Sequence, residues 1–294
     1  MQVSAHRIGD GPLIWPDMDG RMGDNINGPS LIKVPDWLPS PLGQYYLYFG
    51  HHDGHYIRLA FADDLAGPWR MHEPGVLPLA DSLFEGHIAS PDVIVDHEAQ
   101  RLRLYFHGAD QPTADNAPQF TRLALSDDGL SFTARPELLG RPYMRSFRFG
   151  GWHYAIAMPG IIYRSTDGLA GFEEGPNPFE QKFRHCAVLV RENRLFVFYS
   201  RIGDCPERIV YTEIDLEHDW QSWQPSLPST ILSPQREFEG GNLPLCPSVS
   251  GMAREPVRQL RDPAVFEDNG SAYLLYSIAG EHGIALARLE FAAA

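Results

Sequence analysis

The chain of 294 residues is long enough for one large domain or two modest ones. Its hydrophobic fraction of 43% and charged fraction of 21% are those of an ordinary globular protein. A net charge of −14 disfavours nucleic acid and anionic membranes, and no apolar stretch approaches the ~20 residues that span a bilayer. We therefore expect neither a nucleic-acid nor a membrane partner.

The start of the chain and its cysteines bear on location. MQVSAHRIGDGPLIW lacks a basic segment followed by an apolar one, so the sequence predicts no signal peptide and a cytoplasmic protein, although a secreted chain without its leader would look the same. Cys186, Cys205 and Cys246 are odd in number and lack metal-binding spacing, which favours reduced thiols. The sequence indicates no oligomeric state.

Short aromatic and β-branched runs between turn residues indicate an all-β chain. A unit of three such runs repeats five times, and repeats of this kind define architecture. In chain order the second runs are QYYLYFGHH (44–52), RLRLYFHGA (101–109), GWHYAIAMPG (151–160), RLFVFYSRIG (194–203) and SAYLLYSIAG (271–280).

A fourth run closes four units but not the last one. The N-terminal RIGDGPLIW (7–15) resembles the missing run, so we predict that it pairs with the last unit and removes a sheet edge. The prediction is a single five-bladed β-propeller domain (1–294) with four-stranded blades, against a sandwich or an open repeat array. The expected blades are approximately 27–80, 85–140, 141–180, 183–235, and 254–294 plus 7–15.

Propeller geometry sorts polar residues between two faces. Segments before first strands and loops after second strands meet at one mouth of the central channel, whereas Asp64, Asp128 and Asp167 fall in turns on the opposite face and are expected to be structural. Ionisable groups that converge on one mouth are typical of a polar-ligand site. Seven of the twelve histidines are expected there: His51, His52, His55, His87, His107, His185 and His282.

Three strand-leading segments carry a family resemblance. RDPAVFEDNGSAYLLYS (261–277), SPDVIVD (90–96) and INGPSLIKVP (26–35), within five such blades, resemble the furanosidase-type propeller glycosidases of glycoside hydrolase families 43, 32, 68, 62 and 117. In family 43 the Asp-Pro start carries a base or an acid that modulates a pKa, and a Glu-Gly-Pro segment carries the general acid. Asn27 occupies the position of that Glu, and an amide cannot donate a catalytic proton.

The resemblance implies carboxylate chemistry on a small glycan or oligosaccharide. Cleavage needs one group to protonate the leaving oxygen and a second to activate water or attack the sugar. Asp262 and Asp92 are the expected core acids, with Glu239 the leading proton donor. Glu255 and His185 are alternative donors. An Asp beside a proline can instead simply accept backbone N–H bonds.

Amide, imidazole, guanidinium and carboxylate groups at the mouth are the expected sugar contacts, because they hydrogen-bond hydroxyls. Arginines there could instead pair with acids, and histidines could be hydrogen-bonding wall residues. The predicted substrate-binding residues are Asn27, His51, His87, His107, Arg145, His185, Glu255 and Arg261.

Two further hypotheses remain open beside the glycosidase. Asn27 motivates a non-hydrolytic carbohydrate-binding propeller. The histidine-rich mouth motivates a metal-supported site, since imidazole and carboxylate together bind divalent ions. No HxxxH or HExxH spacing supports a catalytic metal, so we expect no cofactor, with a structural divalent ion in the channel as the alternative.

Overall fold

The computed structural model describes residues 2–111, 118–179 and 182–292. Twenty strands form five separate four-stranded antiparallel sheets, which confirms the predicted five-bladed propeller. Within these described ranges, no helix is long and apolar enough to cross a membrane.

The blades follow one another in chain order. Blade 1 contains β2 (Asn27–Lys33), β3 (Tyr45–Gly50), β4 (Tyr56–Ala62) and β5 (Arg70–Pro78). Blade 2 contains β6 (Ile88–Asp96), β7 (Arg101–Ala109), β8 (Gln119–Ser126) and β9 (Thr133–Ala134). Blade 3 contains β10 (Arg145–Phe149), β11 (Trp152–Ala157), β12 (Ile161–Ser165) and β13 (Glu173–Glu174). Blade 4 contains β14 (Phe183–Arg191), β15 (Arg194–Arg201), β16 (Ile209–Asp215) and β17 (Ser229–Leu232).

Blade 5 is completed by the N-terminus. It contains β18 (Arg261–Asp268), β19 (Ser271–Ser277), β20 (Ile284–Ala292) and β1 (Gln2–Arg7). Four short 3-10 helices lie between strands, at Pro16–Met18, Leu79–Asp81, Trp220–Ser222 and Glu237–Glu239.

The hydrophobic core lies between neighbouring blades, because both faces of each sheet are covered. On β7, Leu102, Leu104 and Phe106 pack against blade 1, whereas Tyr105 packs against blade 3. Side chains alternate along a strand, so His107 also faces blade 3. The alternation of one strand therefore supplies apolar packing on one side and a polar wall residue on the other.

The closing strand lies earlier in the chain than predicted. β1 is Gln2–Arg7, paired antiparallel with β20, and the predicted segment 7–15 continues from it with isolated hydrogen bonds such as Leu13 N to Ile284 O (2.7 Å). Gly9, in the left-handed region (φ +77°), interrupts the strand. The sequence pattern did not predict β1, because Val3 is its one buried residue, as expected of an edge strand.

The turn acids lie on the face opposite the mouth and bind backbone, as expected. Asp64 accepts the N–H of Ala66 (2.8 Å), and Asp128 accepts the N–H of Leu130 (2.8 Å). Asp167 does the same for Leu169. These carboxylates stabilise tight turns between third and fourth strands, so they belong to the scaffold.

Candidate functional site

The first strands of the blades begin with a common irregularity at the mouth. In four of them two residues stand opposite one residue of the second strand, a bulge with one inserted residue, and this makes Gly28, Ser90, Arg184 and Asp262 structurally equivalent. In blade 3, Tyr143 precedes β10 at the corresponding place. We call these five the bulge positions. Gly28, Ser90, Tyr143 and Asp262 all have φ between +46° and +63°, and Asp262 is the one carboxylate among them.

Asp262 is buried and paired with His185 of blade 4. Its side chain is 1% exposed, Asp262 Oδ1 contacts His185 Nδ1, and Asp262 Oδ2 accepts the hydroxyl of Ser277 (3.1 Å). Burial, followed by the charge of Arg184, holds the pKa of His185 well below its usual value. A neutral imidazole then donates Nδ1–H to Asp262, which leaves Nε2 as a proton acceptor.

An aromatic stack extends from this pair across blades 2 to 4. The Tyr143 ring lies 3.8 Å from the His185 ring and 3.9 Å from that of His107, and His87 meets His107 edge-on at 5.8 Å. His107 is 1% exposed, and neither of its ring nitrogens has a hydrogen-bond partner in the described part of the chain. Burial also depresses the pKa of His107 well below its usual value, so the His107 imidazole is neutral near pH 7.

A second carboxylate at the mouth comes from the loop after β19. Glu281 is 2% exposed and accepts hydrogen bonds from Asn25 (2.9 Å), Asn27 (3.2 Å) and Arg261 (2.8 Å). His52 Nδ1 lies 3.5 Å away. Burial alone would raise the pKa of Glu281, but His52, Arg261 and Asn25 lower it to about 2. Asn27 therefore donates a hydrogen bond to the ionised carboxylate of Glu281 and does not replace a carboxylate in the site.

A third carboxylate, Glu207, joins blades 4 and 5. It is fully buried, lies 2.8 Å from Arg184 Nε and 3.3 Å from Arg261 Nε, and accepts the Ser200 hydroxyl (2.6 Å). Arg261 thus bridges Glu207 and Glu281. Sequence reasoning placed the loops of both glutamates at the mouth but did not select either residue. Neither stands at the start of a first strand as Asp262 does, so the available signal was the position of its loop.

Asp92 lies deeper in the channel than Asp262. By register it is equivalent to Ala264, two residues beyond the bulge position. It accepts Ser146 N–H (2.9 Å) and lies 3.4 Å from Arg145, and its burial raises its pKa. Asp92 and Asp262, both expected to be core acids, therefore lie at different depths in the channel, and their catalytic roles stay predictions.

Arg145 closes the channel behind the mouth. Its guanidinium donates to three carbonyls from three blades, those of Pro29 (3.4 Å), Pro91 and Cys186 (3.1 Å). The Arg145 side chain therefore fills the channel at this depth, and no contact with a substrate is indicated. A cavity of about 80 Å³ lies beside Asp92 and Arg145. The described residues contain no group of three His, Cys, Asp or Glu arranged to hold a metal, so the channel ion stays a prediction.

The structure does not bring Glu239 to the mouth cluster. Glu239 is fully buried in a 3-10 helix and accepts hydrogen bonds from Arg7 (2.7 Å), Tyr276 (2.9 Å) and the backbone N–H of Gln235 (2.8 Å). Although burial opposes it, Arg7 lowers the pKa of Glu239. A carboxylate held ionised in this way is a structural ion pair, so its assignment as leading proton donor is not supported.

Two other predicted residues stand apart from the cluster. Glu255 is exposed in the segment between blades 4 and 5, and no contact within the described residues joins it to the mouth. His51 is half-buried beside His52, where its Nδ1 accepts Asp53 N–H (3.0 Å). The site that the structure assembles therefore consists of Asp262, His185 and Glu281 with their neighbours.

Sequence comparison places the chain in a family. No protein-family model matches it. "Uncharacterized protein R118" of Acanthamoeba polyphaga mimivirus is 36% identical over 299 residues, which cover 90% of this chain and 83% of that protein. The chain belongs to the same family as that protein.

Solved structures share its fold at low identity. A family 43 β-xylosidase/α-arabinofuranosidase from a compost microbial metagenome, complexed with xylotriose, has a TM-score of 0.63 at 14% identity over 97% of this chain and 94% of that one. A family 62 α-L-arabinofuranosidase catalytic domain from Coprinopsis cinerea has a TM-score of 0.64 at 13% identity over 97% of both chains. The chain thus has the propeller fold of glycoside hydrolase families 43 and 62, with divergent sequence.

Proposed function

We propose that the protein is a glycoside hydrolase whose reaction takes place at the Asp262–His185 pair. The observation that carries the proposal is the position of this pair. It lies at a channel mouth, on a fold shared with glycosidases, and is linked through Arg261 to the ionised Glu281.

The pair supplies proton transfer. Asp262 accepts Nδ1–H and fixes the tautomer, and Nε2 takes a proton from the water that attacks the anomeric carbon. The departing oxygen takes up that proton from the imidazolium, so the leaving group departs as an alcohol and His185 returns to its neutral form. Its depressed pKa keeps His185 unprotonated at neutral pH, as a base must be. The buried position excludes bulk water, which strengthens the electrostatic effect of every charge in the site.

Glu281 supplies negative charge. Glycosidic cleavage develops positive charge on the sugar ring, and a fixed carboxylate stabilises that transition state. With a pKa of about 2, Glu281 is ionised throughout the working range of an ordinary enzyme. Asn25 and Asn27 orient it, and His52 on its exposed side is placed to contact a sugar hydroxyl.

A turnover screen tests the proposal. The purified protein is assayed on aryl furanosides, aryl pyranosides and natural oligosaccharides, together with Asp262→Asn, His185→Gln and Glu281→Gln. We expect kcat to fall by about 10²–10⁴-fold in the first two variants. Asp268→Asn, on the same strand as Asp262 but at the far end, is the matched control and should retain activity.

Glu239→Gln separates a chemical role from a structural one. Loss of one partner of its buried ion pair with Arg7 should lower the free energy of unfolding by about 3–5 kcal/mol while kcat per folded molecule is kept. Full activity of Asp262→Asn on a confirmed glycoside would refute the assignment of the pair.

A carbohydrate-binding propeller is the second candidate. It is favoured by the arginine partners of Glu207 and Glu281, which neutralise both carboxylates, and by the lack of a proton donor at Asn27. Saturable binding of an oligosaccharide by calorimetry, with no turnover of any substrate in the screen, would establish this function in place of hydrolysis.

A further inference from the structure

We propose that the hydroxyl of Tyr143 binds a hydroxyl group of a neutral sugar at the mouth, a proposal that rests on the proposed function. Tyr143 occupies the bulge position of blade 3 and is half-buried beside the Asp262–His185 pair. The setting of its ring, its backbone conformation and the state of its hydroxyl all indicate that the side chain meets a ligand.

The ring of Tyr143 lies between two imidazoles. Its centroid is 3.8 Å from that of His185 and 3.9 Å from that of His107, and these two histidines make no ring contact with each other in the described part of the chain. They therefore cover opposite faces of the Tyr143 ring. Stacking on a sugar requires a free aromatic face, and Tyr143 has none. Its hydroxyl is the group that it can offer to a ligand.

The backbone at Tyr143 has a conformation that favours glycine. Its φ is +63°, and the equivalent residue of blade 1 is Gly28, with a φ of +59°. A tyrosine in the left-handed region is strained, and such residues cluster at active sites and ligand clamps. The adjoining chain fixes this conformation, since the Pro142 carbonyl accepts the N–H of Met158 (3.0 Å). The strain indicates that the phenol does more than fill space.

The hydroxyl of Tyr143 has no hydrogen-bond partner among the described residues. It reaches solvent, unlike the enclosed ring nitrogens of His107. Charged groups of blades 5, 4 and 1 surround it, among them Glu281, Arg184 and Asp53. Burial, followed by the charge of Glu281, raises the pKa of Tyr143, so the phenol keeps its proton throughout the working range of an ordinary enzyme. The mouth thus contains an uncharged donor that is available to a ligand.

The strongest donors beside the pair are already engaged. Arg261 donates to Glu281 (2.8 Å) and lies 3.3 Å from Glu207, and Arg184 lies 2.8 Å from Glu207. Because protein carboxylates neutralise these guanidinium groups, neither arginine is free to bind the carboxylate of an acidic sugar. The unpartnered phenol instead favours an uncharged hydroxyl.

Tyr143→Phe tests the contact, because it keeps the ring between the two histidines and removes the hydroxyl alone. On the glycoside that the parent protein turns over best, kcat/KM should fall about 10-fold, as expected for the loss of one hydrogen bond between uncharged groups. The free energy of unfolding should not fall, since no hydrogen bond within the described protein is lost. Tyr273→Phe, which removes a hydroxyl from a stacked ring toward the far end of β19, is the matched control and should behave like the parent protein.

Monodeoxy analogues of the same glycoside identify the bound hydroxyl. The analogue that lacks it should be turned over equally by the parent protein and by Tyr143→Phe, whereas the other analogues should keep the difference between them. An equal effect of the substitution on every analogue, or unchanged kinetics of Tyr143→Phe, would overturn this contact and leave the hydrolase proposal intact. Turnover of a uronic acid glycoside as fast as that of its neutral counterpart would overturn the neutral class of substrate.

Calorimetry takes the place of kinetics where no glycoside is turned over. Weaker binding of an oligosaccharide by Tyr143→Phe than by the parent protein would then support the contact, although the hydrolase proposal would have failed. Equal binding by the two proteins, or no binding by the parent protein, would overturn the contact as well.

Discussion

At the scale of single residues, the least ordinary feature is His107, whose two ring nitrogens are buried without a hydrogen-bond partner among the described residues. Unpartnered buried polar atoms are rare in proteins because each forfeits its hydrogen bonds to water. The site therefore contains a desolvated imidazole stacked on Tyr143, which in turn stacks on His185. Protonation of His107 would bury a positive charge with no carboxylate in contact with it among the described residues.

This arrangement predicts acid-sensitive stability. The pKa values of His107 and His185 are depressed in the folded protein, so the unfolded chain binds more protons below pH ~6.5. Their contribution to stability is complete above that pH and is lost as the pH falls toward the folded pKa values. Urea unfolding should show a lower free energy of unfolding at pH 5 than at pH 7.5.

A variant of similar shape isolates the contribution of His107 to the loss of stability at low pH. His107→Phe should reduce the loss of stability between pH 7.5 and pH 5, because it removes one buried imidazole with a depressed pKa. His97→Gln, at an exposed position on the other face, should leave the loss unchanged. The contribution of Glu281 to stability is lost in a separate pH range, as the pH falls below ~4.5 toward its folded pKa of about 2. An identical pH dependence in His107→Phe and the parent protein would contradict the account.

At the scale of elements, the bulge positions fix how closely blades approach at the mouth. A Cβ added to Gly28 would lie 2.9 Å from Ser90 Cα, so the bulge of blade 1 requires glycine to pack against that of blade 2. Gly150 has a similar left-handed φ of +55° but has open space around it. The pair of glycines therefore separates backbone strain from steric overlap.

Alanine substitutions should show this difference. Gly150→Ala should cost about 1 kcal/mol from its backbone conformation alone. Gly28→Ala should cost at least about 1 kcal/mol more, because blades 1 and 2 must move apart. Urea denaturation of both variants measures the difference, and equal losses would show that the mouth relaxes freely around an added methyl group.

The strands could be predicted from the sequence, whereas contacts between residues far apart in the chain could not. Apolar runs such as YYLYFG and SAYLLYS predicted the strands correctly, because burial on both sheet faces is recorded locally in residue type. The ion pair of Glu239 could not be predicted, because its partner Arg7 lies 232 residues away and leaves no local trace. Glu281 was overlooked for the same reason, since Arg261, Asn25 and Asn27 reach it only in the folded ring.

At the scale of the whole molecule, the ring is closed by backbone pairing of β1 with β20. Deletion of residues 2–6, which keeps Arg7 and its ion pair with Glu239, should expose the β20 edge and remove Val3 from the core between blades 4 and 5. We expect the melting temperature to fall by about 5–10 °C. Aggregation should rise with protein concentration.

Scanning calorimetry and light scattering measure these effects of the deletion. A Gln2→Ala, Ser4→Ala variant, which changes exposed side chains but keeps the strand, is the control. An unchanged melting temperature after deletion would show that the segment 7–15 closes the ring by itself.

The pairing of the two ends also sets an order of events during synthesis. β1 leaves the ribosome before any other described strand, and its partner β20 leaves last. At about 5–20 residues per second, the nascent chain carries an unpaired β1 for tens of seconds while four complete blades can already form behind it. The mouth is assembled late as well, since Asp262 and Glu281 both belong to blade 5. Any activity at that site therefore waits until blade 5 has emerged and paired with β1.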